Sequence, residues 1–472
     1  MKIKEWLRGN TLLNSAIWYT IGTFILKGVN FFTTPIFTNL LTTEDYGVIT
    51  IYSTWSAIFS IVIGLGINGA IGSAKANLDK ADYEEYLSST LFLSTVSFFI
   101  IGSISLIFRN GLEEVLGLSI PIIIVLLFES YFAFVISFGT SVFTFERNHR
   151  AYLASSAITT IINIILSIVL ILSLNSDKYI GRIYGSAIAT VSVGVILYIQ
   201  IIRRGKKLVS LKHWKLCLPI ALPLIFHNLS HLVLNQADKL MLQKVTTDAV
   251  VGIYGFTYTI GALINTIQLA VNSAWVPWYY ECLNSGNKKE MKRVSGIYIS
   301  VFTALTIMFI LGVPEIIKLF SPQEYWSGIS LLPIIIIGYY FVFLYTFPAN
   351  YQFYIKQTKF IAIGTIMAAI INVLINYIYI QKYGMYAAAF STLCAYVVLF
   401  FMHFILVKVK YKHVDYPFTY NLIGIGSVGL ACLITYVFIK KFFVRWLIIL
   451  IILGVVAYLV IQNIKQFNIN NK

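Results

Sequence analysis

A lysine midway along an apolar run is the residue in this sequence most in need of a chemical reason. Lys27 lies between about Leu12 and Leu40, with Thr20, Thr23, Asn30 and Thr34 around it at spacings of 3, 4, 3 and 4. That rhythm puts all five on one face of a helix. A cation deep in a bilayer costs at least about 2.5 kcal/mol on insertion scales. An anionic substrate group or a carboxylate partner offsets that cost. Glu129 is the only carboxylate deep in another apolar run, so it is the natural partner or a proton carrier. Two further stripes each lie on one helix face. His227, His231, Asn235 and Asp238 form one, and Tyr258, Gly261, Asn265, Gln268 and Asn272 form the next. The second apolar run adds Thr50, Thr54, Gly64 and Asn68. Such stripes suit the wall of a wet cavity, because polar groups avoid lipid.

The competing reading for Thr, Asn and Gln is hydrogen-bonded glue between helices. Asn372 and Asn376, with Thr365 and Ala369, fit it better than they fit a cavity wall. His227 and His231 have the i, i+4 spacing of a zinc pair and could titrate near neutral pH. No Glu completes HExxH, and no third ligand is close, so no metal is expected. Asp238 and Lys239 read as an interfacial anchor or as a coupling site. Cys217, Cys282, Cys394 and Cys432 show no CxxC spacing. His213 stands four residues before Cys217, again with no further ligand near in sequence. GxxxxGK[ST] and GxSxG are both absent, and the longest loop, about 15 residues, is too short for a catalytic domain. No catalytic residue and no cofactor is expected. An ion gradient of H+ or Na+, the membrane potential or consumption of the product remains as the energy source.

The elements that must position these residues follow from composition. Of 472 residues 58% are hydrophobic and 11% charged, with mean hydropathy +0.81. A soluble domain carries about 25% charged residues. The outer solvent is therefore lipid, and the fold class is an all-α integral membrane protein. Spans of about 20 residues are predicted at 12–37, 46–72, 87–108, 118–144, 151–174, 180–202, 217–239, 250–280, 294–313, 327–354, 359–380, 384–407, 417–438 and 444–463, fourteen in all. Lys2, Lys4 and Arg8 precede the first run with no small-residue cleavage site after it, so that run reads as a permanent helix rather than a signal peptide. Pro35, Pro219, Pro223, Pro277, Pro333 and Pro348 fall within or near span ends, where each can kink a helix.

A net charge of +16 would suggest nucleic acid in a soluble protein. Here the basic residues sit in short loops. Alternate loops divide 24 Lys and Arg against 10, with Lys27 inside the first span. The loop Arg203–Lys215 is the strongest single contribution. The Lys/Arg bias predicts both termini in the cytoplasm, and no nucleic-acid partner is expected.

The sequence resembles itself at an interval near 205 residues. Thr42-Thr43-Glu44-Asp45-Tyr46-Gly47-Val48 recurs as Thr246-Thr247-Asp248 and Val251-Gly252-Ile253-Tyr254, while Asn68 and Ala70 match Asn272 and Ala274. Ile161-Ile162-Asn163 matches Ile370-Ile371-Asn372, and the segment from Tyr184-Gly185-Ser186 to Thr190 matches Tyr386 to Thr392. Six spans fit in the interval, an even number, so the copies enter the membrane in the same direction, as a parallel repeat. The expected domains are an N-lobe at 1–203 with helices 1–6, a basic cytoplasmic linker at 204–215, and a C-lobe at 216–410 with helices 7–12. Helices 13–14 and a cytoplasmic tail occupy 411–472. Two such lobes suit rocking around a central cavity, which favours transport over single-site catalysis.

Along its whole length the chain resembles the Wzx-like polysaccharide flippases of the multidrug/oligosaccharidyl-lipid/polysaccharide exporter superfamily. In the first half the resemblance rests on Gly22-Thr23-Phe24 through Lys27, Pro35-Ile36-Phe37-Thr38-Asn39-Leu40-Leu41 and Thr43-Glu44-Asp45-Tyr46-Gly47. In the second it rests on Leu218-Pro219, Leu222-Pro223, Asp238-Lys239-Leu240-Met241-Leu242, Val251-Gly252-Ile253-Tyr254 and Trp275-Val276-Pro277. Asn372-Val373-Leu374-Ile375-Asn376, Tyr383-Gly384 and Ala387-Ala388-Ala389 complete it.

The resemblance implies a twelve-helix two-lobed bundle, often with two further helices. It also implies movement of undecaprenyl-pyrophosphate-linked oligosaccharide units, O-antigen or capsule precursors, across the bacterial cytoplasmic membrane. The implied partners are the lipid-linked oligosaccharide, membrane lipids, and the polymerase and other assembly proteins. Lys27 matches the region where relatives place a cation in the first helix, suited to a pyrophosphate. Spans 7 and 8 depart from the more cationic relatives, having no deep Arg or Lys apart from Lys239. The expected substrate-binding residues are Lys27, Asn30, Asn68, Asn265, Gln268 and Asn272. Glu129, His227, His231, Asn235 and Asp238 are the coupling or cavity residues. The rival readings are an ion-coupled drug or cation antiporter, which would want more deep carboxylates, and a membrane-embedded polymerase, which would want a large catalytic loop. A scaffold or channel is a third reading, on which the polar stripes are silent.

Overall fold

The computed structural model describes residues 22, 28–29, 31–413 and 418–470, the side chains of 457–470 excepted. Lys27 and Asn30 lie outside the described residues, as does most of the first predicted span. Every regular element among the described residues is helical. Helix α1 covers 31–40. It is followed by α2 (Thr43–Ile63), α3 (Ile71–Asn77), α4 (Lys80–Ile107), α5 (Arg109–Leu116), α6 (Ile120–Phe145), α7 (His149–Ser173), α8 (Lys178–Gly205) and α9 (Leu211–Gln243). Then come α10 (Asp248–Ser285), α11 (Lys288–Leu311), α12 (Val313–Phe320), α13 (Gly328–Tyr354), α14 (Thr358–Tyr383), α15 (Met385–Val409), α16 (Phe418–Val437) and α17 (Phe442–Asn470). Twelve of these are long and apolar enough to cross a membrane, and the predicted fourteenth span lies in α17. The chain is an all-α integral membrane protein.

Local sequence sets the helix starts. Thr42 Oγ1 accepts from the Asp45 amide at 3.1 Å while Asp45 Oδ2 accepts from the Thr42 amide at 3.1 Å, a capping box that opens α2. Asp79 Oδ1 caps α4 through the Asp82 amide at 2.9 Å. Asn148 opens α7 and Asn287 opens α11 in the same way. Pro219, Pro223, Pro277, Pro333 and Pro348 all lie inside helices. Near Pro35 the freed chemistry is local: Asn39 Nδ2 donates to the Pro35 carbonyl at 2.7 Å.

Span 2 is shorter than its apolar pattern predicts. Its predicted range ran to residue 72, but α2 stops at Ile63, Gly66 takes φ 67°, and Ile67–Ala70 form a 3-10 turn before α3. Leu65 at φ 51° and Gly66 supply the break, both in the left-handed region, which is open to glycine without steric penalty. The linker is also shorter than predicted. Helix α8 runs through Gly205 and α9 begins at Leu211, leaving only 206–210 outside helices.

The chain divides into two compact units, Met1–Gly252 and Ile253–Lys472. The division falls beyond α9 rather than at the basic linker, because α9 packs against α2, the Ile67–Ala70 turn and α4. In the first unit Tyr52, Leu91, Leu126, Phe138 and Leu197, from α2, α4, α6 and α8, belong to one buried apolar cluster. The second unit is held by aromatic rings. Phe302 and Phe343 stack at 4.0 Å, Trp275 and Tyr279 at 5.7 Å, and Tyr298 meets Phe343 edge-on at 5.1 Å.

Within the first unit the repeated segments meet reciprocally. A methyl group on Gly47 would sit 2.0 Å from the Asp248 carbonyl oxygen, and one on Gly252 would sit 1.9 Å from the Thr43 carbonyl oxygen. Gly47 and Gly252 are 205 residues apart, as are Thr43 and Asp248. The start of α2 thus approaches the start of α10 as the start of α10 approaches α2. A contact with local two-fold character between copies of the repeat has this form.

Candidate functional site

In the first unit the polar centre is built around Glu129 on α6. Its side chain is 7% exposed, with Tyr52 Oη donating to Oε2 at 2.5 Å and Ser186 Oγ donating to Oε1 at 2.6 Å. The network continues through α7 and α8. Asn163 Nδ2 donates to Ser186 Oγ at 3.4 Å, and Arg182 donates to Asn163 Oδ1 and, at 2.7 Å, to Ser167 Oγ. The Arg182 guanidinium also lies 4.3 Å from the centre of the Phe37 ring. Four helices therefore converge on one carboxylate. The arrangement can hold a proton or a negative charge among fixed hydroxyl donors. Arg182 sits in the outer-loop count of charges by its place near a predicted span end. The structure puts it in the network instead. Of this network, Asn163 recurs in the repeat as Asn372, whereas Ser186 aligns with Ala388.

The stripe on α9 divides. His227 and His231 are exposed along this apolar helix, and Asn235 is half-buried, donating to the His231 carbonyl at 2.6 Å. Asp238, one turn further on, is fully buried, and Lys239 Nζ donates to Gln236 Oε1 at 2.6 Å. Exposed imidazoles on a spanning helix meet water or a polar ligand rather than hydrocarbon.

Thr50, Thr54, Gly64 and Asn68 do not all lie on one helix. Thr50 and Thr54 donate back to the Tyr46 and Thr50 carbonyls at 2.8 Å each. Asn68 lies beyond the helix break, in the 3-10 turn, and donates to Ser137 Oγ at 3.3 Å.

In the second unit, Asn265 is half-buried on α10. Gln268, one turn on, is 1% exposed, and neither its Oε1 nor its Nε2 has a hydrogen-bond partner among the described residues. A buried amide without partners costs about 1–3 kcal/mol, so this position calls for a water or a ligand. Asn272 behaves as glue, accepting from Asn350 Nδ2 of α13 at 3.0 Å. Asn372 on α14 donates to Thr392 Oγ1 at 2.9 Å and Ser391 Oγ at 3.3 Å on α15, the helix-to-helix role expected of it. In the first unit Asn163 bonds Ser186 across the corresponding helix pair, although Ser186 aligns with Ala388 rather than with Ser391 or Thr392.

Sequence reasoning missed the ion pair of Arg445 with Glu315. Arg445 is 1% exposed and grips Glu315 through two bonds of 2.7 and 2.5 Å, with a third bond of 2.6 Å to the Leu311 carbonyl. It fastens α17 to the α11–α12 junction.

Comparison with known proteins matches residues 12–282 to the model of a family described as polysaccharide biosynthesis protein, and residues 223–378 to the MatE family. A membrane protein of Haemophilus influenzae described as uncharacterized is 25% identical over 384 residues, 76% of this chain and 88% of that protein. Among solved structures, the lipid II flippase MurJ in an inward closed conformation has TM-score 0.75 at 16% identity, covering 95% of this chain and 99% of that one. An inward-facing multidrug resistance MATE family transporter of the MOP superfamily has TM-score 0.66 at 15% identity, covering 82% and 96%. Identities this low speak for the fold alone, whereas the first family match spans more than half of the chain. The chain belongs to the polysaccharide biosynthesis protein family and has the fold that MurJ and the MATE transporters share.

Proposed function

We propose that this protein is a flippase that moves undecaprenyl-pyrophosphate-linked oligosaccharide repeat units across the bacterial cytoplasmic membrane by alternating access, for surface polysaccharide such as O-antigen or capsule. The observation that carries the reading is the family match over residues 12–282. The polar groups left open on spanning helices support it. His227 and His231 are exposed on α9, and Gln268 is a buried amide with no partner among the described residues. A glycan head group satisfies many such donors and acceptors while its lipid tail stays in the bilayer. Lys27 and Asn30 remain the proposed contacts to the pyrophosphate and first sugar. Asn68, Asn265 and Asn272 are proposed as further sugar contacts, and Glu129, His227, His231, Asn235 and Asp238 as the groups that couple movement to H+ or Na+.

The six-span repeat supplies the two rocking lobes, and the basic segment 206–210 is the cytoplasmic link between α8 and α9. Both termini face the cytoplasm. The polymerase that extends the polymer receives the product in the outer leaflet. The antiporter reading has the MatE match over residues 223–378 in its favour, but only one deep carboxylate, Glu129, with both oxygens already taken by hydroxyls.

The test is deletion of the gene followed by leaflet-resolved assay of lipid-linked oligosaccharide. The expected result is accumulation in the inner leaflet and loss of surface polymer, both restored by the wild-type gene. Normal export with raised sensitivity to cationic dyes would replace this reading with the antiporter.

A further inference from the structure

The start of α4 and the start of α9 come together at the end of the first unit that carries the basic loop, and a set of donors is assembled there. Asp82 and Glu85 are three residues apart in the first turns of α4, so they share a helix face. His213 is the third residue of α9. Ligating atoms of Asp82, Glu85 and His213 all lie within 4.8 Å of one another, with His213 Nε2 facing Asp82 Oδ1 at 3.8 Å. By sequence alone His213 stands without ligands. The fold supplies two, from 131 and 128 positions away.

His213 is the telling member. It is 1% exposed, and neither ring nitrogen has a hydrogen-bond partner among the described residues. The Tyr86 ring meets it edge-on at 5.9 Å, which fixes the imidazole plane. A buried imidazole with an unused lone pair turned towards two carboxylates is a nitrogen donor prepared for a cation. The carboxylates are themselves oriented. Lys212 Nζ holds Asp82 Oδ2 at 2.6 Å, and Lys207 Nζ holds Glu85 Oε2 at 2.6 Å. Partners of this kind fix the first ligands around a metal. The lysine side chains are 68% and 48% exposed and can turn to water if an ion needs the outer oxygens.

We propose that Asp82, Glu85 and His213 bind one divalent transition-metal cation, zinc foremost, and so clamp the start of α9 to the start of α4. One imidazole and two carboxylates make a borderline set that suits zinc or manganese better than magnesium or calcium, which take oxygen alone. Zinc bonds of about 2.0–2.2 Å put tetrahedral donors about 3.3–3.6 Å apart, so donor atoms now within 4.8 Å of one another must close by up to about 1.5 Å, through rotation of the two carboxylate side chains. Water fills the remaining position.

The test uses the full-length protein in detergent, with any affinity tag removed and metal stripped by EDTA. Zinc, manganese and magnesium chlorides are titrated separately by calorimetry, and bound metal is counted by mass spectrometry after desalting. The expected result is one zinc per chain, a raised melting temperature with zinc, and affinity for magnesium weaker by at least about tenfold. His213→Gln and Glu85→Gln should each weaken zinc binding at least about tenfold. Glu85 is partly exposed, so Glu85→Gln keeps the test valid if His213→Gln fails to fold. Less than one zinc per chain in the wild-type protein, zinc binding unchanged in Glu85→Gln, or magnesium binding equal to zinc binding would overturn the proposal.

Discussion

Glu129 shows how a single side chain can organise a membrane protein's interior. Its two hydroxyl donors, Tyr52 and Ser186, lose their acceptor if the carboxylate goes. Glu129→Ala is expected to lower unfolding stability by about 1–3 kcal/mol, and Tyr52→Phe by about 1 kcal/mol, measured by denaturation in detergent. Equal melting of Glu129→Ala and wild type would show that the network does not hold these helices. Arg445 makes a stronger case. Arg445→Met strands Glu315 and the carbonyls it serves. Removing one partner of a buried pair costs about 3–5 kcal/mol. Glu315 is 27% exposed, so the loss should fall near the lower bound. Neither the role of Arg445 nor that of Arg182 was legible in the sequence. Both stand near predicted span ends, where a basic residue reads as a loop charge, and the partner Glu315 lies 130 residues away. Glu129 was legible because a carboxylate deep in an apolar run has few physical excuses.

At the scale of elements, the apolar periods of most spans carry directly into helices, with caps at Thr42, Asp79, Asn148 and Asn287 where the residue types call for them. The failures have physical causes. Hydropathy continues across Gly64–Gly66, but the left-handed turn at Gly66 ends the helix and moves Asn68 off the Thr50–Thr54 face. The reciprocal approach of Gly47 and Gly252 makes a sharper prediction. Gly252→Ala places a methyl against the Thr43 carbonyl, and Gly47→Ala does the same at Asp248. Each change is expected to destabilise by about 1–3 kcal/mol, the usual range for overfilling a tight contact. In the double variant the losses should fail to add, since one displacement relieves both contacts. Full additivity in melting measurements would separate the two contacts.

For the whole molecule, composition alone settled membrane class, and the alternation of apolar runs settled most of the spans. The division into compact units at Gly252 was not legible, because α9 follows the linker in sequence yet packs on the helices before it. The proposed orientation rests on the loop charges. A single cysteine replacing Lys206, in a background with the four native cysteines changed to serine or alanine, is expected to react with an impermeant maleimide only from the cytoplasmic side. Labelling in intact cells would invert the topology. The central claim is movement of a lipid-linked oligosaccharide, and reconstitution measures it most directly. Vesicles holding the purified protein and a fluorescent undecaprenyl-pyrophosphate oligosaccharide are exposed to a membrane-impermeant quencher or glycan-cleaving enzyme, with and without a proton or sodium gradient. The account predicts that label passes from the protected to the accessible leaflet faster than in protein-free vesicles, and that Lys27→Ala slows this while protein incorporation is unchanged. Exchange no faster than in protein-free vesicles, together with gradient-driven uptake of a cationic dye, would contradict it.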